Sequence, residues 1–351
     1  MDNPKDALRQ RAAAGDGGAQ LELALAAYDR GAADEGLYWL GQSAKAGTVQ
    51  AFTELGARLI VGAGAPFAPA DGAQMLGLAA ANGDPIAARY QAILHATGTA
   101  LAQDWGKALW SLRRASEAGD AEAASELNLM ADISGAGADQ AIAETWLRAP
   151  AVDLLCESPR IGVVRNFAPR PLCDWLVAAA KDRLQPAGTT DPKTGQFTAD
   201  PARTNRYAQV RLFDYPLPLV FLREQMASIV GQPTTNFEVM NLLSYQPGEE
   251  YRPHHDYMDP AAKGFQQELA ERGQRVATFL VYLNDDFEGG ETSFPDVDVQ
   301  FRGAAGDALF FISASPEGAI DSRTRHAGLP PTTGTKWLLS QWVRNRPQTV
   351  Y

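Results

Sequence analysis

Cysteine is nearly absent from this 351-residue chain, which holds only Cys156 and Cys173. Two thiols cannot build the disulfide framework of a small secreted scaffold, and they fall short of the ligand set of a closed zinc site. Both therefore read as structural. Histidine is scarce too, with four in the chain. Basic residues are outnumbered, 31 against 42 acidic ones, and the resulting net charge of −11 repels a polyanion. Nucleic acid is thus excluded as a partner, and charge of this sign modestly favours a basic one. No run approaches the ~18 consecutive apolar residues of a membrane span. The first residues, Met1 to Asp6, show no basic stretch followed by an apolar one. The expectation is a cytoplasmic protein with no membrane partner.

What is present divides into two patterns, as expected for a chain longer than the ~250–300 residues at which single cores stop growing. The first 150 residues are rich in alanine and keep a 36-residue period: Gly47, Gly83 and Gly119; Leu40, Leu76 and Leu112; Ala51, Ala87 and Ala123. Ala19 follows Gly15 by four in what reads as an earlier unit. Each unit is expected to be a helix ending near the glycine, a short turn, and a second helix starting near the alanine, closed by Gly62 and Gly98 in two units. Helix pairs at a fixed period stack into a solenoid. The stretch from Gly47 to Asp120 resembles Sel1-like repeats, relatives of the tetratricopeptide fold. That resemblance implies a protein-interaction role for a domain over 1–152, the alternative being a helical shoulder that stabilises the rest. His95 is expected on a helix surface.

Between Pro150 and Pro159 the pattern changes. Ile161 to Val164 reads as a short strand, and Pro169-Arg170-Pro171 opens an amphipathic helix carrying Leu172, Trp175, Leu176 and Ala179. Residues 185–202, with Gly188, Pro192, Gly195 and Pro201, read as a long loop of functional or mobile character. A helix is expected from about Pro218 to Val230. Beyond it the period shortens to two, with strands expected at Val239 to Tyr245, Val276 to Leu283, Ala308 to Ile312 and Trp337 to Val343. Helices followed by many short strands predict a double-stranded β-helix, or jelly-roll barrel, with supporting helices, behind the N-terminal α-helical repeat solenoid.

The chemistry concentrates in Tyr251-Arg252-Pro253-His254-His255-Asp256. In an extended strand His254 and Asp256 share a face and His255 points away. His326 is the only other histidine in the C-terminal two-thirds of the chain. Two histidines and one carboxylate with open positions form the triad of non-heme Fe(II) oxygenases.

Four ordered pieces carry a closer resemblance: Tyr245-x-x-Gly248-x-x-Tyr251-x-x-His254-x-Asp256; Arg275-x-x-Thr278-x-x-x-Tyr282-Leu283-Asn284; Gly289-Gly290-Glu291-Thr292-x-Phe294; and His326-x-Gly328-x-Pro330-x-x-x-Gly334-x-Lys336-Trp337. Residues 157–346 are similar to the prolyl 4-hydroxylase branch of the 2-oxoglutarate- and Fe(II)-dependent dioxygenases. The resemblance implies that His254, Asp256 and His326 ligate Fe(II), that Lys336 holds the distal carboxylate of 2-oxoglutarate, and that Tyr245, Thr278 and Trp342 line the cosubstrate pocket. It also implies O2 as oxidant and ascorbate as reductant. Arg203-Thr204-Asn205 stands where relatives carry Arg-x-Ser, so Arg203 and Asn205, with Tyr251, become candidate substrate contacts; the asparagine departs from that pattern.

The residue types suit the reaction. Three protein ligands leave room for a chelating keto acid and for dioxygen, and a buried Lys336 needs the counter-charge that a second carboxylate supplies. Asp256 favours hydroxylation over halogenation, since halogenating relatives lack that carboxylate. The resemblance implies prolyl residues of a protein or peptide as substrate, with the repeats available to present the partner. Other readings stay open: a free amino acid or small metabolite as substrate, a scaffold with a sensory or vestigial barrel, or an isomerase or hydrolase holding zinc or manganese.

Overall fold

The structure, a computed structural model, describes residues 4–348, so the first three residues of the expected 1–152 domain lie outside the described residues. The chain divides into two compact units. One runs up to Trp146 and takes in Tyr215–Val220; the other comprises Leu147–Asp214 and the chain from Phe221 onward.

Among the described residues the first unit holds nine helices: α1 (Pro4–Ala13), α2 (Gly17–Asp29), α3 (Ala33–Lys45), α4 (Val49–Val61), α5 (Pro69–Ala81), α6 (Pro85–Thr97), α7 (Trp105–Glu117), α8 (Ala121–Ser134) and α9 (Asp139–Trp146). The periodic glycines sit in the turns of successive pairs, where the chain reverses with φ of 91° at Gly15, 84° at Gly47, 87° at Gly83 and 99° at Gly119. Only glycine takes that backbone conformation without strain. A capping residue follows each one. Asp16, Asp84 and Asp120 accept from the backbone N–H groups of Ala19, Ala87 and Ala123, which satisfies donors left free at the start of a helix. The same alanines, with Ala51, are fully buried, as are Leu40, Leu76 and Leu112. The period thus encodes both the turn and the inward face. Gly62, Gly98 and Gly135 end α4, α6 and α8 in the left-handed conformation. Between α4 and α5 the approach is so close that a Cβ on Gly72 would lie 2.5 Å from the carbonyl oxygen of Gly56. His95, on α6, is half-buried rather than on the surface, with no partner for Nδ1 among the described residues. No helix of the described residues is long and apolar enough to cross a membrane.

The remaining helices are α10 (Arg170–Ala180), α11 (Leu217–Val230) and α12 (Gln266–Arg272). The strands are β1 (Asp153–Cys156), β2 (Ile161–Val164), β3 (Gln185–Pro186), β4 (Gly188–Thr190), β5 (Phe197–Ala199), β6 (Arg206–Val210), β7 (Met240–Tyr245), β8 (Tyr251–His254), β9 (Arg275–Tyr282), β10 (Glu288–Gly289), β11 (Thr292–Phe294), β12 (Val299–Phe301), β13 (Ala308–Ile312), β14 (His326–Gly328), β15 (Pro331–Thr333) and β16 (Lys336–Arg344). Eight of them form one antiparallel sheet in the order β1-β2-β13-β9-β16-β7-β6-β3, and four form a second in the order β12-β11-β14-β8. A core joins the two sheets. Leu243, Leu280, Tyr282, Leu309, Phe311 and Leu338 from the large sheet pack with Phe294 and Phe301 from the small one. Their spacing of two puts the intervening positions on the opposite face, which frees the inward phase of β7, β9 and β16 to line a cleft.

Residues 185–202 differ from the loop expected. β4 and β5 pair as a hairpin, Gly188 opposite Ala199 and Thr190 opposite Phe197, closed through Asp191 and Gln196. Strands three residues long are too short to display alternation. Gly188 is needed there, because a Cβ would come within 2.3 Å of the carbonyl oxygen of Thr198.

Candidate metal centre

β8 delivers His254 at its last residue, and Asp256 follows where the chain has left the ladder. β14 pairs antiparallel with β8 so that His326 stands directly across from His254. The register therefore does what sequence distance conceals. Nε2 of His254 is 3.5 Å from one oxygen of Asp256, and Nε2 of His326 is 3.6 Å from the other. The three candidate donor atoms all lie within 4.8 Å of one another, and no other such group occurs among the described residues. Asp256 and His326 are buried, and His254 is half-buried.

The protonation pattern suits a cation. Nδ1 of His254 is 2.8 Å from the carbonyl of Arg252, and Nδ1 of His326 is 3.1 Å from that of Thr324. A carbonyl only accepts, so each Nδ1 carries the proton and each Nε2 presents its lone pair to the centre. Burial lowers the His326 pKa to about 4, only partly opposed by Asp256, so the imidazole is neutral. Burial alone would raise the Asp256 carboxyl; the charge that His326 and His254 carry when protonated, and in their neutral form the hydrogen bond from Thr278, favour the carboxylate. Thr278 donates to Oδ2 of Asp256 at 2.7 Å. It stands behind the carboxylate, not among the residues that line the cleft. His255 points away, with Nε2 2.9 Å from the carbonyl of Ser322.

A narrow cleft of about 30 Å³ opens from the triad, walled by Leu243, Tyr245, Leu280, Lys336, Leu338 and Ser340. Lys336 is fully buried, donates to the carbonyl of Gly290 at 2.7 Å, and has no carboxylate at ion-pair distance among the described residues. Tyr245 stands directly across the ladder from it, and the ammonium lies 5.2 Å from that ring. Burial brings the Lys336 pKa down to about 7, with Glu291 pulling it back only in part. Gly290 has φ of 69°, and a Cβ there would lie 3.2 Å from Cδ of Lys336. This places a functional demand on the Gly289-Gly290 pair.

Tyr251 stacks on His254 with ring centroids 3.4 Å apart, and the Arg203 guanidinium lies 4.7 Å from the centre of the Tyr251 ring. Burial pushes the Tyr251 hydroxyl up to about 12. Asn205 is buried and is not among the residues that line the cleft; its Oδ1 accepts from Nε of Arg203 at 3.2 Å. Trp342 lines the cleft at the far end of the wall, stacked under Arg275 at 3.9 Å. Arg275 pairs with Glu238, which also pairs with the fully buried Arg344. Burial would raise the Glu238 carboxyl, but Arg275 and Arg344 bring it to about 2. Sequence reading missed this network, whose members are far apart in the chain. Its signal was a glutamate just before β7 and an arginine at one end of each of the apolar strands β9 and β16.

Comparison with known proteins agrees with this geometry. A model of the 2OG-Fe(II) oxygenase superfamily matches residues 240–344. Prolyl 4-hydroxylase 1 of Arabidopsis thaliana is 36% identical over 203 residues, which cover 54% of this chain and 70% of that protein. Among solved structures, the viral collagen prolyl hydroxylase of Paramecium Bursaria Chlorella virus-1 in complex with 2OG aligns at 25% identity and a TM-score of 0.42, covering 54% of this chain and 98% of that one. A Sel1 repeat protein from Oxalobacter formigenes aligns at 22% identity and a TM-score of 0.34, covering 42% of this chain and 44% of that one.

Proposed function

Since the chain belongs to the prolyl 4-hydroxylase family of 2OG-Fe(II) oxygenases, we propose that it hydroxylates prolyl residues of a peptide or protein at the centre formed by His254, Asp256 and His326. The donor set fits Fe(II): two neutral imidazoles with free Nε2 and one ionised carboxylate on one side of the cleft. When bound, the iron supplies the oxidising chemistry by which one atom of O2 enters 2-oxoglutarate, released as succinate and carbon dioxide, and the other enters the substrate C–H bond. Ascorbate, as the reductant that keeps the metal ferrous, belongs to the same reading.

The chain's own residues do the rest. Lys336 carries the reading: a buried ammonium with no carboxylate partner, in the same cleft as the triad, is complementary to one end of a dicarboxylate. Tyr245 and Leu338 hold that end away from water, which strengthens the pairing. Thr278 fixes the Asp256 carboxylate, and the two backbone carbonyls fix the imidazole tautomers. A protein substrate is supported by the open groove beside the cleft and by the repeat unit. Its exposed Tyr38, Leu78 and Trp110 give a solenoid surface of the sort that binds partners.

The test is succinate release from 2-oxoglutarate by iron-loaded protein in the presence of proline-containing peptides. The proposal expects succinate in step with the appearance of oxygen on prolyl residues. Succinate in step with a hydroxylated free amino acid, and none with peptides, would contradict the substrate class.

A further inference from the structure

A groove of about 290 Å³ adjoins the metal cleft and shares two of its wall residues, Arg203 and Trp342. It is lined also by Gly188 and Phe197 of the β4–β5 hairpin and by Glu238 and Arg272. Its charge balance runs against that of the chain. Glu238 is committed to Arg275 at 2.6 Å and to Arg344 at 2.6 Å, and Glu268 to Arg344 at 2.5 Å and to Arg272 at 3.3 Å. In and behind the groove four guanidiniums, Arg203, Arg272, Arg275 and Arg344, thus stand against three carboxylates, Glu238, Glu268 and the nearby Asp200, a local excess of one positive charge in a chain of net charge −11.

Arg203 is the member left without a counter-ion. Its Nε donates to Asn205 and its Nη1 to the carbonyl of Gly188, both at 3.2 Å and both neutral acceptors. The nearby Asp200 is engaged by the hydroxyl of Thr189 and the N–H of Ala202. A half-buried guanidinium held in place by neutral groups keeps its affinity for a carboxylate. Trp342 belongs to the same wall, and its Nε1 is buried with no acceptor among the described residues.

We infer that this groove is a subsite for an acidic side chain of the substrate, an Asp or Glu a few residues from the target proline, with Arg203 as the specificity-determining contact. The inference rests on the peptide-hydroxylase reading. A chain that places its proline over the metal centre passes Arg203 and Trp342 to reach the groove, and its carboxylate there offsets the unpaired positive charge.

The experiment offers iron-loaded protein a peptide library with a fixed central proline, randomised flanks, and acetylated and amidated ends, so that side chains bear the only carboxylates. Products are recognised by mass as carrying one added oxygen. The expected result is enrichment of Asp and Glu at a fixed position on one side of the proline. Replacing that residue by Asn should weaken peptide binding, measured by fluorescence anisotropy, by about tenfold or more. The Asp-to-Asn ratio should collapse in Arg203→Gln, survive in Arg203→Lys, shrink in Arg272→Gln, whose guanidinium is already paired with Glu268, and fall with added salt in the unaltered protein. Products without charge preference, or a preference unchanged in Arg203→Gln and Arg272→Gln, would overturn the subsite and leave the hydroxylase reading intact. No product from any peptide, with 2-oxoglutarate still bound, would overturn the peptide reading and the subsite with it.

Discussion

Lys336 is the residue whose ionisation the account exposes to measurement. Burial depresses its folded pKa from the ordinary 10.5 to about 7. Between those values the unfolded chain binds the proton and the folded, 2-oxoglutarate-free chain does not. The desolvation penalty on folding is therefore present in full below about 7 and relieved as pH rises through that window. A carboxylate beside the group favours the ammonium, so binding 2-oxoglutarate takes up a proton above that pKa. Its affinity should weaken by up to about tenfold per pH unit above neutrality, and calorimetry in buffers of different ionisation heat should report proton uptake. Affinity that stays flat up to pH about 9 would show that Lys336 does not hold the cosubstrate. Thr278→Val removes the donor to Asp256 at nearly constant shape, and iron affinity should fall by roughly 10- to 100-fold, read by competition with a chromophoric chelator. The sequence singled out His254, Asp256, His326 and Lys336 because ligand chemistry restricts residue type. It placed Thr278 at the cosubstrate pocket, and its orientation behind Asp256 became visible only once β9 was folded.

At the scale of elements, the long strands and the apolar Ile161 to Val164 were legible, whereas β6 and most strands of two or three residues were not. β9 and β16 show enough alternating positions to reveal their period, whereas β10, β11, β14 and β15 have two or three residues each. Yet the short strands make the site, since the pairing of β14 with β8 brings His326 to His254. The repeat unit was readable for the opposite reason. Its glycine, cap and alanine recur, so a weak local signal is confirmed by its own repetition. The capping aspartates Asp16, Asp84 and Asp120 stood out less, because the unit after Gly47 carries Thr48 in that place and makes no side-chain cap. Close contact of α4 with α5 makes Gly72→Ala overpacked against a backbone carbonyl. It should destabilise the helical unit by about 1–3 kcal/mol, seen as an earlier loss of helical circular dichroism on heating. An unchanged melt would mean that these helices separate at little cost.

For the whole molecule, net charge is the coarsest reading and the least local. A value of −11 argues against nucleic acid and for a basic partner, but it averages over a groove beside which arginines from three separate stretches of chain outnumber carboxylates. Long-range attraction and local recognition can therefore prefer opposite signs, the first set by the surface and the second by what the strands bring together. The two units divide the work in the same way: one supplies repeated surface, the other a cleft with a triad and a lone ammonium. The central claim is that this cleft holds Fe(II) and 2-oxoglutarate together, and anaerobic titration of the purified protein with both tests it most directly. A visible metal-to-ligand charge-transfer band should appear on adding 2-oxoglutarate, be lost in His254→Ala, and need much more 2-oxoglutarate in Lys336→Ala. A folded, iron-loaded protein that develops no band, or develops it undiminished in His254→Ala, would contradict the account.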